Sequence, residues 1–193
     1  RLNGYRSFRE HIWTDTDRNR SGLLKFAFSP DASFAHYVEY ALDVPMYFII
    51  RHHDYIDMTH MTFRQFLANG HERERATLED WSDHLTTLFP ETRIKRYIEI
   101  RSVDSQPPEL MPALSALTKG VFYDSDCLTA AWDLVKGWTW DERMETYLDS
   151  HKNALAARVR RYSLLDLAKE LFQIGWEGLR RQKSLNKNGE DET

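Results

Sequence analysis

The chain contains 193 residues, of which 26 are lysine or arginine and 30 are aspartate or glutamate, so its formal charge is −4. Hydrophobic residues make up 41% and aromatic residues 13% of the sequence, which is typical of a globular chain and excludes a disordered or fibrous one. Because a mildly acidic chain has no general attraction for a phosphate backbone, nucleic-acid binding is not expected.

Neither a membrane span nor a secretory signal is predicted. The longest apolar stretch runs from Val44 to Ile50, far short of the roughly 20 residues that a membrane-spanning helix needs. A single cysteine, Cys127, cannot close an internal disulfide, which is compatible with a reducing compartment, and cytoplasm is the expected location. The chain begins with Arg1, and we expect its natural N-terminus to lie upstream.

The first half of the chain predicts helices and strands in alternation. Apolar residues at helical spacing predict helices over residues 31–42, 62–68 and 77–89. A run rich in β-forming residues, 46–50, predicts a buried strand, and residues 54–57 are a possible partner across a hairpin. The third helix opens with Thr77 three residues before Asp80, which is a capping arrangement, and ends before Pro90.

Residues 93–103 contain the clearest strand signal of the sequence. Ile94, Ile98 and Ile100 alternate with polar and charged residues, which is the period of a strand with one apolar face. Arg96 is the one breach on the apolar side.

After Pro107 the composition changes and predicts a helical half. Helices are predicted over residues 110–123, 128–135, 141–148 and 163–182. Ser163 is the expected N-cap of the last helix. The predicted fold class is α+β, in a single unit of residues 1–193. Within it, residues 1–107 are expected to be the strand-containing part with the site residues, residues 108–182 the helical part, and residues 183–193 either a polar tail or part of a loop that continues beyond this chain.

Glu99 and Arg101 are the first candidates for chemistry. Period-two geometry places them, with Tyr97, on one face of the predicted strand, and same-face neighbours are about 7 Å apart. At that distance Glu99 can coordinate a hard divalent cation while Arg101 holds phosphate oxygens, which would suit Mg-nucleotide chemistry. The alternative is a cross-strand salt bridge on a solvated sheet face, without a catalytic role.

Other motifs are weaker. Asp15, Asp17 and Asn19 begin like a calcium-binding EF-hand loop, but Arg20 and Phe26 stand where that loop needs glycine and glutamate. A loop ordered by Asx turns is the alternative. The eight histidines do not match zinc-binding spacings, and the sequence has no Walker, Gly-x-Gly-x-x-Gly or Gly-x-Ser-x-Gly motif.

Two blocks of sequence carry a resemblance to a known family. The first, residues 4–17, contains Gly-Tyr-x-Ser-x-Arg-x-x-Ile-Trp, and the second, residues 96–107, contains Glu99 and Arg101. Together with shorter blocks at 41–48, 61–68 and 84–91, they resemble glutamate-cysteine ligases of the plant and proteobacterial type. The resemblance extends over nearly the whole chain, and family members are longer in both directions.

The resemblance implies a fold and an activity. Family members resemble glutamine synthetase in fold, with a mainly antiparallel sheet that holds the active site and helices packed on one side. Their reaction joins the γ-carboxylate of L-glutamate to the amine of L-cysteine through a γ-glutamyl phosphate, as the first step of glutathione synthesis. ATP is a substrate and Mg²⁺ is the cofactor, as phosphoryl transfer requires.

The resemblance also implies roles for individual residues. Glu99 matches the family's strand glutamate that binds Mg²⁺, and Arg101 matches its phosphate-contacting arginine. Arg9 is expected to grip a substrate carboxylate or the transferred phosphate, with Trp13 as a wall of that pocket.

The cysteine substrate is expected to face Tyr40 or Tyr47. The remaining metal and nucleotide ligands are expected outside this chain, so the isolated chain is expected to be inactive. Two alternatives stay open, namely a related carboxylate-amine ligase that uses another amine, and a non-catalytic binding domain with a charged strand face.

Overall fold

The computed structural model describes residues 3–183, 185 and 187–190, and its mixture of helices and short strands confirms the α+β class. The chain divides into two compact units. We call Ile12–Val103 the strand unit, and we call the residues up to His11 together with those from Asp104 onward the helical unit. Among the described residues, no helix is both long enough and apolar enough to cross a bilayer.

The expectation that residues 1–193 form a single unit, as part of a larger catalytic domain, stays a prediction. The predicted polar tail, residues 183–193, lies partly outside the described residues.

The strand unit is built from short elements that pair locally. After α1 (Phe8–Trp13), whose residues are divided between the two units, its elements are β1 (Ser21–Gly22), a 3-10 turn (Lys25–Phe28), α2 (Phe34–Asp43), β2 (Phe48–Arg51), β3 (Asp54–Asp57), α3 (Phe63–Asn69), α4 (Leu78–Thr86), β4 (Phe89–Pro90), β5 (Thr92–Ile94) and β6 (Ile98–Ile100). Strand β1 pairs in parallel with β4, whereas β2 with β3 and β5 with β6 are antiparallel pairs.

Two of these helices begin at threonine capping boxes. The Thr62 hydroxyl accepts a hydrogen bond from the backbone N–H of Gln65, and the Gln65 side chain accepts one from the Thr62 N–H. Thr77 and Asp80 make the same reciprocal pair at the start of α4, which confirms the predicted cap. Each box satisfies backbone donors that have no partner within the helix.

Two predicted helices are too long. Helix α2 begins at Phe34 and not at residue 31, because Ala32 donates its N–H to the Ser29 carbonyl in a turn that precedes the helix. Helix α4 ends at Thr86 and not at residue 89. The reason is that Phe89 precedes a proline, which disfavours the helical backbone, and Phe89 pairs with Ser21 instead.

The predicted hairpin of β2 and β3 is confirmed, with a two-residue turn. Arg51 pairs with Asp54, which leaves His52 and His53 as the turn residues, with φ values of 51° and 71°. Positive φ at both central residues is what a type I′ turn requires, and such turns match the twist of the flanking strands. His52 and His53 are therefore polar turn residues of the predicted hairpin.

The single strand predicted over residues 93–103 is two strands joined by a turn. Antiparallel pairing places Arg93 opposite Glu99 and Ile94 opposite Ile98. The turn between them contains Arg96, the position at which the apolar alternation is broken. The charged residue on the apolar side therefore lies at the turn, which the alternating pattern alone did not predict.

The core of the strand unit consists of two apolar clusters. The larger contains Met46, Ile49, Met58, Phe63 and Phe66. The smaller contains Ala41, Val44 and Leu88. Trp81 packs against both clusters, so one aromatic ring of α4 connects them. The buried strand predicted over residues 46–50 is confirmed, although β2 itself begins at Phe48.

His84 is a titratable group inside this core. It is 3% exposed, and its ring centroid lies 5.3 Å from that of Phe63 and 5.9 Å from that of Trp81. Its Nε2 lies 2.8 Å from the Ala41 carbonyl oxygen, so Nε2 carries the proton and donates. Nδ1 has no hydrogen-bond partner among the described residues. Burial lowers the pKa of His84, because the core disfavours the charged ring.

We expect the buried His84 to make the protein less stable in acid. Since the folded-state pKa lies below the unfolded value of about 6.5, the unfolded chain takes up a proton first, and stability declines as the pH falls below about 6.5. His84→Gln retains an N–H for the Ala41 carbonyl but cannot titrate. The free energy of unfolding, measured in urea at about pH 7.5 and about pH 5.5, should therefore depend less on pH in this variant. Equal pH dependence in both proteins would contradict the expectation.

The helical unit contains the four predicted helices and one strand pair. Its elements are a 3-10 turn (Pro108–Leu110), α5 (Met111–Phe122), α6 (Ser125–Val135), α7 (Trp140–Asn153), a second 3-10 turn (Ala154–Ala156), β7 (Arg158–Val159), β8 (Tyr162–Ser163) and α8 (Leu164–Gln182). Ser163 caps α8 as predicted, by accepting from the Asp166 N–H at 3.2 Å. The β7–β8 pair was not predicted, because two-residue strands are too short for a periodic signal.

Helices α5 and α8 touch through their backbones at three glycines. A Cβ atom at Gly120 would overlap the carbonyl oxygen of Gly175, and one at Gly178 would overlap the carbonyl oxygen of Gly120. The sequence analysis found the apolar stripe of α8 but not this contact. Close approach of two helices requires small residues at facing positions, which a single helix pattern does not reveal.

Candidate functional site

The β5–β6 hairpin holds a carboxylate between two guanidinium groups. Glu99 Oε2 accepts a hydrogen bond from Arg93 Nε at 2.6 Å and another from Arg101 Nη1 at 3.3 Å. The structure therefore confirms that Glu99 and Arg101 share a face. It also contains the cross-strand salt bridge that the sequence left open as the alternative, between Glu99 and Arg93. Tyr97, assigned to the same face, lies in the turn before β6 and is 62% exposed.

Arg93 is the member of this cluster that the sequence analysis missed. Its side chain is only 8% exposed. Its Nη1 donates to the carbonyl oxygens of Thr86 at 2.8 Å and Leu88 at 3.1 Å, at and just beyond the end of α4. Carbonyls at a helix end lack partners within the helix, so Arg93 satisfies them. The signal that could have found it is charge pairing with Glu99, which becomes visible only when a turn is placed between the two strands.

Arg101 is held by contacts on several sides. Its backbone N–H donates to the Glu91 carbonyl at 2.9 Å, and its guanidinium carbon lies 5.5 Å from the centre of the Phe89 ring. Phe89 in turn lies 5.9 Å from Trp13, measured between ring centroids. The structure therefore brings the predicted pocket wall, Trp13, into the same neighbourhood as Arg101. The site is built from residues that are far apart in sequence.

The cluster as a whole is positive. Two arginines carry two positive charges and Glu99 carries one negative charge, so the net charge is +1. Hydrogen bonding from Arg93, and secondarily from Arg101, lowers the pKa of Glu99, which is therefore ionised at neutral pH. The Arg101 side chain is 22% exposed and can meet an incoming group. A fixed guanidinium in a positive cluster suits a carboxylate or a phosphate.

A divalent cation does not fit this cluster as it stands. Mg²⁺ requires an octahedron of oxygens, usually with one or two carboxylates among them. Glu99 brings one carboxylate, and its Oε2 already lies between two guanidinium groups. Within the part of the chain that the structure describes, no three His, Cys, Asp or Glu side chains form a group that could hold a metal ion. The role of Glu99 as a Mg²⁺ ligand stays a prediction that this geometry does not support.

Arg9 lies in the helical unit, on α1. It forms an ion pair with the adjacent Glu10, and its Nη1 lies 3.7 Å from Asp104 Oδ1. The same oxygen of Asp104 accepts a hydrogen bond from the Ser7 hydroxyl at 3.1 Å. The serine and the arginine of the first sequence block therefore converge on Asp104, which follows the second block's strand. Arg9 is 38% exposed along its side chain, and its substrate-binding role stays a prediction.

Tyr47 lies against a buried arginine, Arg20. The Arg20 guanidinium carbon is 3.7 Å from the centre of the Tyr47 ring, and Arg20 is 2% exposed. Its nitrogens donate to Asp17 Oδ2, to the Thr87 hydroxyl and carbonyl, and to the Pro45 carbonyl. Arg20 therefore joins three separate segments of the strand unit. The sequence placed it in a loop and did not anticipate this role.

Of the two predicted cysteine-facing tyrosines, Tyr47 is the more accessible. Tyr47 is 39% exposed. The Tyr40 hydroxyl is buried and has no hydrogen-bond partner among the described residues, and burial raises the pKa of Tyr40. A ligand could therefore meet Tyr47 without rearrangement of the core, whereas the Tyr40 hydroxyl is enclosed. Neither role is tested by this geometry.

The loop that resembles the start of an EF-hand is ordered by its own side chains. Asp17 Oδ1 accepts from the Asn19 N–H at 2.9 Å, which is an Asx turn, and Asp17 Oδ2 accepts from Arg20. These bonds confirm the alternative that the sequence analysis preferred for this loop. Cys127 is 4% exposed, and burial raises the pKa of its thiol, as befits an ordinary small side chain.

A mainly apolar cavity of about 510 Å³ lies in the strand unit. Its wall includes the N-cap residue Ser33, Phe34 and Tyr37 of α2, and Thr92 and Ile94 of β5. Burial raises the pKa of Tyr37. Ile94 of the cavity wall directly follows Arg93 of the hairpin cluster in β5, so the cavity adjoins the cluster. A cavity of this volume is within the range of small-molecule pockets.

The family model for glutamate-cysteine ligase family 2 matches residues 1–193. Glutamate-cysteine ligase A, chloroplastic, of Oryza sativa subsp. indica is 45% identical over 183 residues, which is 93% of this chain and 37% of that protein. The chain belongs to the glutamate-cysteine ligase family 2. The chloroplastic glutamate-cysteine ligases of Solanum lycopersicum and Arabidopsis thaliana are each 44% identical to this chain, over 93% of it and 35% of their own length.

This chain therefore spans little more than a third of the length of the ligases that it matches. The match includes the Glu99–Arg101 hairpin, since the family model extends from residue 1 to residue 193. The resemblance read from the sequence is confirmed at the level of the family.

Proposed function

We propose that the protein to which this chain belongs is an ATP-dependent ligase. It joins the γ-carboxylate of L-glutamate to the amine of L-cysteine through a γ-glutamyl phosphate, the first step of glutathione synthesis. The observation that carries this proposal is the 45% identity, over 93% of the chain, to a protein named glutamate–cysteine ligase. A glutamine-synthetase-like arrangement of an antiparallel sheet, with helices on one side, is part of the same proposal.

In this function the β5–β6 hairpin contributes positive charge to the reacting groups. Arg101 orients a carboxylate or a phosphoryl group and stabilises the charge that develops during transfer, as a fixed donor does in a preorganised site. The aromatic rings of Phe89 and Trp13 exclude water beside it. Arg9 is proposed to bind a second anionic group of the substrates, and Tyr47 or Tyr40 to face the cysteine.

ATP and Mg²⁺ belong to the proposal through the family. When bound, the metal supplies charge neutralisation between phosphate oxygens. Its protein ligands are proposed to be carboxylates outside this chain. We propose cytoplasm as the location, from the single cysteine, although the names of the plant relatives include the word chloroplastic.

The test is an assay of the full-length protein with glutamate, cysteine and Mg-ATP. Formation of γ-glutamylcysteine with release of ADP is the expected result, and other amines offered in place of cysteine should react more slowly. Faster ligation of another amine would indicate a related carboxylate-amine ligase. If the full-length protein neither hydrolyses ATP nor forms a ligation product, a non-catalytic binding domain would be favoured. The isolated residues 1–193 are expected to form no product, and robust ligation by them would contradict the proposed distribution of the site.

A further inference from the structure

Three side chains of the β5–β6 hairpin form a continuous line of contacts from the protein interior to its surface. Backbone carbonyls at the end of α4 hold Arg93, Arg93 holds Glu99, and Glu99 holds Arg101. The side chains are 8%, 29% and 22% exposed, in that order. The innermost group is thus fixed by backbone, and the outer two are reachable.

We propose that Arg93 and Glu99 are positioning residues that hold the Arg101 guanidinium in place to receive an anionic group of a substrate. This inference rests on the proposed ligase function, in which the anion is a carboxylate or a phosphoryl group. Glu99 then serves as a partner of arginine and does not bind a metal ion.

The arginine fork of Arg93 is what makes the line rigid. Its Nε points to Glu99 at 2.6 Å, while its Nη1 points to the carbonyls of Thr86 and Leu88. A planar group with donors in fixed directions can bridge these partners, whereas the single ammonium of a lysine cannot serve both ends. Arg93→Lys therefore preserves the charge of the cluster and removes its geometry.

The charge of the cluster favours an anion over a cation. A cation on Glu99 would lie beside two guanidinium groups, one of which donates at 2.6 Å to the oxygen in question. Like charges at such distances repel, and among the described residues no group of three potential metal ligands lies at Glu99 to offset that repulsion. An anion at Arg101 meets a net charge of opposite sign.

Anion binding is tested on the full-length protein without metal. Inorganic phosphate is titrated, by calorimetry in the presence of EDTA, into the wild type and into two variants, Arg93→Lys and Glu99→Asp. The second variant shortens the side chain without changing its charge. Arg96→Lys, the same exchange at an exposed residue of the same hairpin, is the matched control.

We expect phosphate affinity to fall about tenfold or more in Arg93→Lys and Glu99→Asp, as for a bidentate site that loses its geometry, and to stay within about twofold in the control. The melting temperatures identify a variant that fails to fold, and the phosphate affinity of the other variant then tests the proposal. Wild-type affinity in both folded variants, or a wild type that binds no phosphate, would overturn the proposal.

Metal binding is tested separately with Mn²⁺, followed by electron paramagnetic resonance without substrates. Glu99→Gln removes the charge of the carboxylate, and we expect its Mn²⁺ isotherm to equal that of the wild type. Weaker Mn²⁺ binding in this variant, by about tenfold or more, would overturn the proposal and support a metal-ligand role. Neither titration requires ligation, so a failure of the proposed function would appear in the ligation assay alone.

Discussion

Arg101→Lys in the full-length protein should lower kcat/KM for the proposed ligation by a factor on the order of 100 or more, which is the usual cost of losing one preorganised donor to a transition state. Lysine keeps the positive charge but loses the planar fork, and the cluster holds Arg101 as a fork through Glu99 and Phe89. Steady-state kinetics with glutamate, cysteine and Mg-ATP measure the change.

Stability separates this role from that of a surface ion pair. The contact of Arg101 with Glu99 is 3.3 Å long and partly exposed, so its loss should cost only about 0–1 kcal/mol of unfolding free energy. Arg96→Lys, an exposed residue in the turn of the same hairpin, is the matched control and should retain the parental kcat/KM. Parental kinetics in Arg101→Lys would remove Arg101 from the active site.

Gly120→Ala should destabilise the helical unit strongly, by about 3 kcal/mol or more, at the upper end of the cost of overpacking. The added methyl group would overlap the carbonyl of Gly175 on α8, and backbone cannot move aside as a flexible side chain can. Helix propensity alone predicts the opposite sign, since alanine is favoured over glycine by about 1 kcal/mol. The free energy of unfolding in urea measures the net effect.

Gly137 provides the control for this substitution. A Cβ atom there would meet only the end of the Arg160 side chain, at 3.8 Å, which is ordinary contact. Gly137→Ala should therefore change the free energy of unfolding by less than about 1 kcal/mol, as surface substitutions usually do. If Gly120→Ala were as mild as Gly137→Ala, the backbone contact between α5 and α8 would not exist in solution.

The sequence predicted those features that depend on neighbours along the chain. The caps at Thr77 and Ser163 were predicted from a hydroxyl residue at the start of a helical pattern, and at Thr77 also from the acidic residue three positions later. The apolar run before Arg51 predicted a buried strand for the same local reason. The family was also predicted from local sequence, since residues 4–17 and 96–107 carry the resemblance that the family match confirms.

Local patterns failed where a distant contact competes with them. The alternation of residues 93–103 is broken only at Arg96, so two short strands of equal period resemble one long strand. Helix α4 stops at Thr86 because Phe89 pairs with Ser21, a partner 68 positions earlier in the chain.

For the site, the sequence by itself determined the family, Glu99, Arg101 and the expectation that both lie on one face. Only the tertiary structure decided what Glu99 touches. Arg93 is six positions away and lies on the opposite strand, so its hydrogen bond to Glu99 exists only after the hairpin has formed. Burial then makes that bond matter, because a guanidinium removed from water must find fixed acceptors, and it finds them in a carboxylate and in the carbonyls at the end of α4.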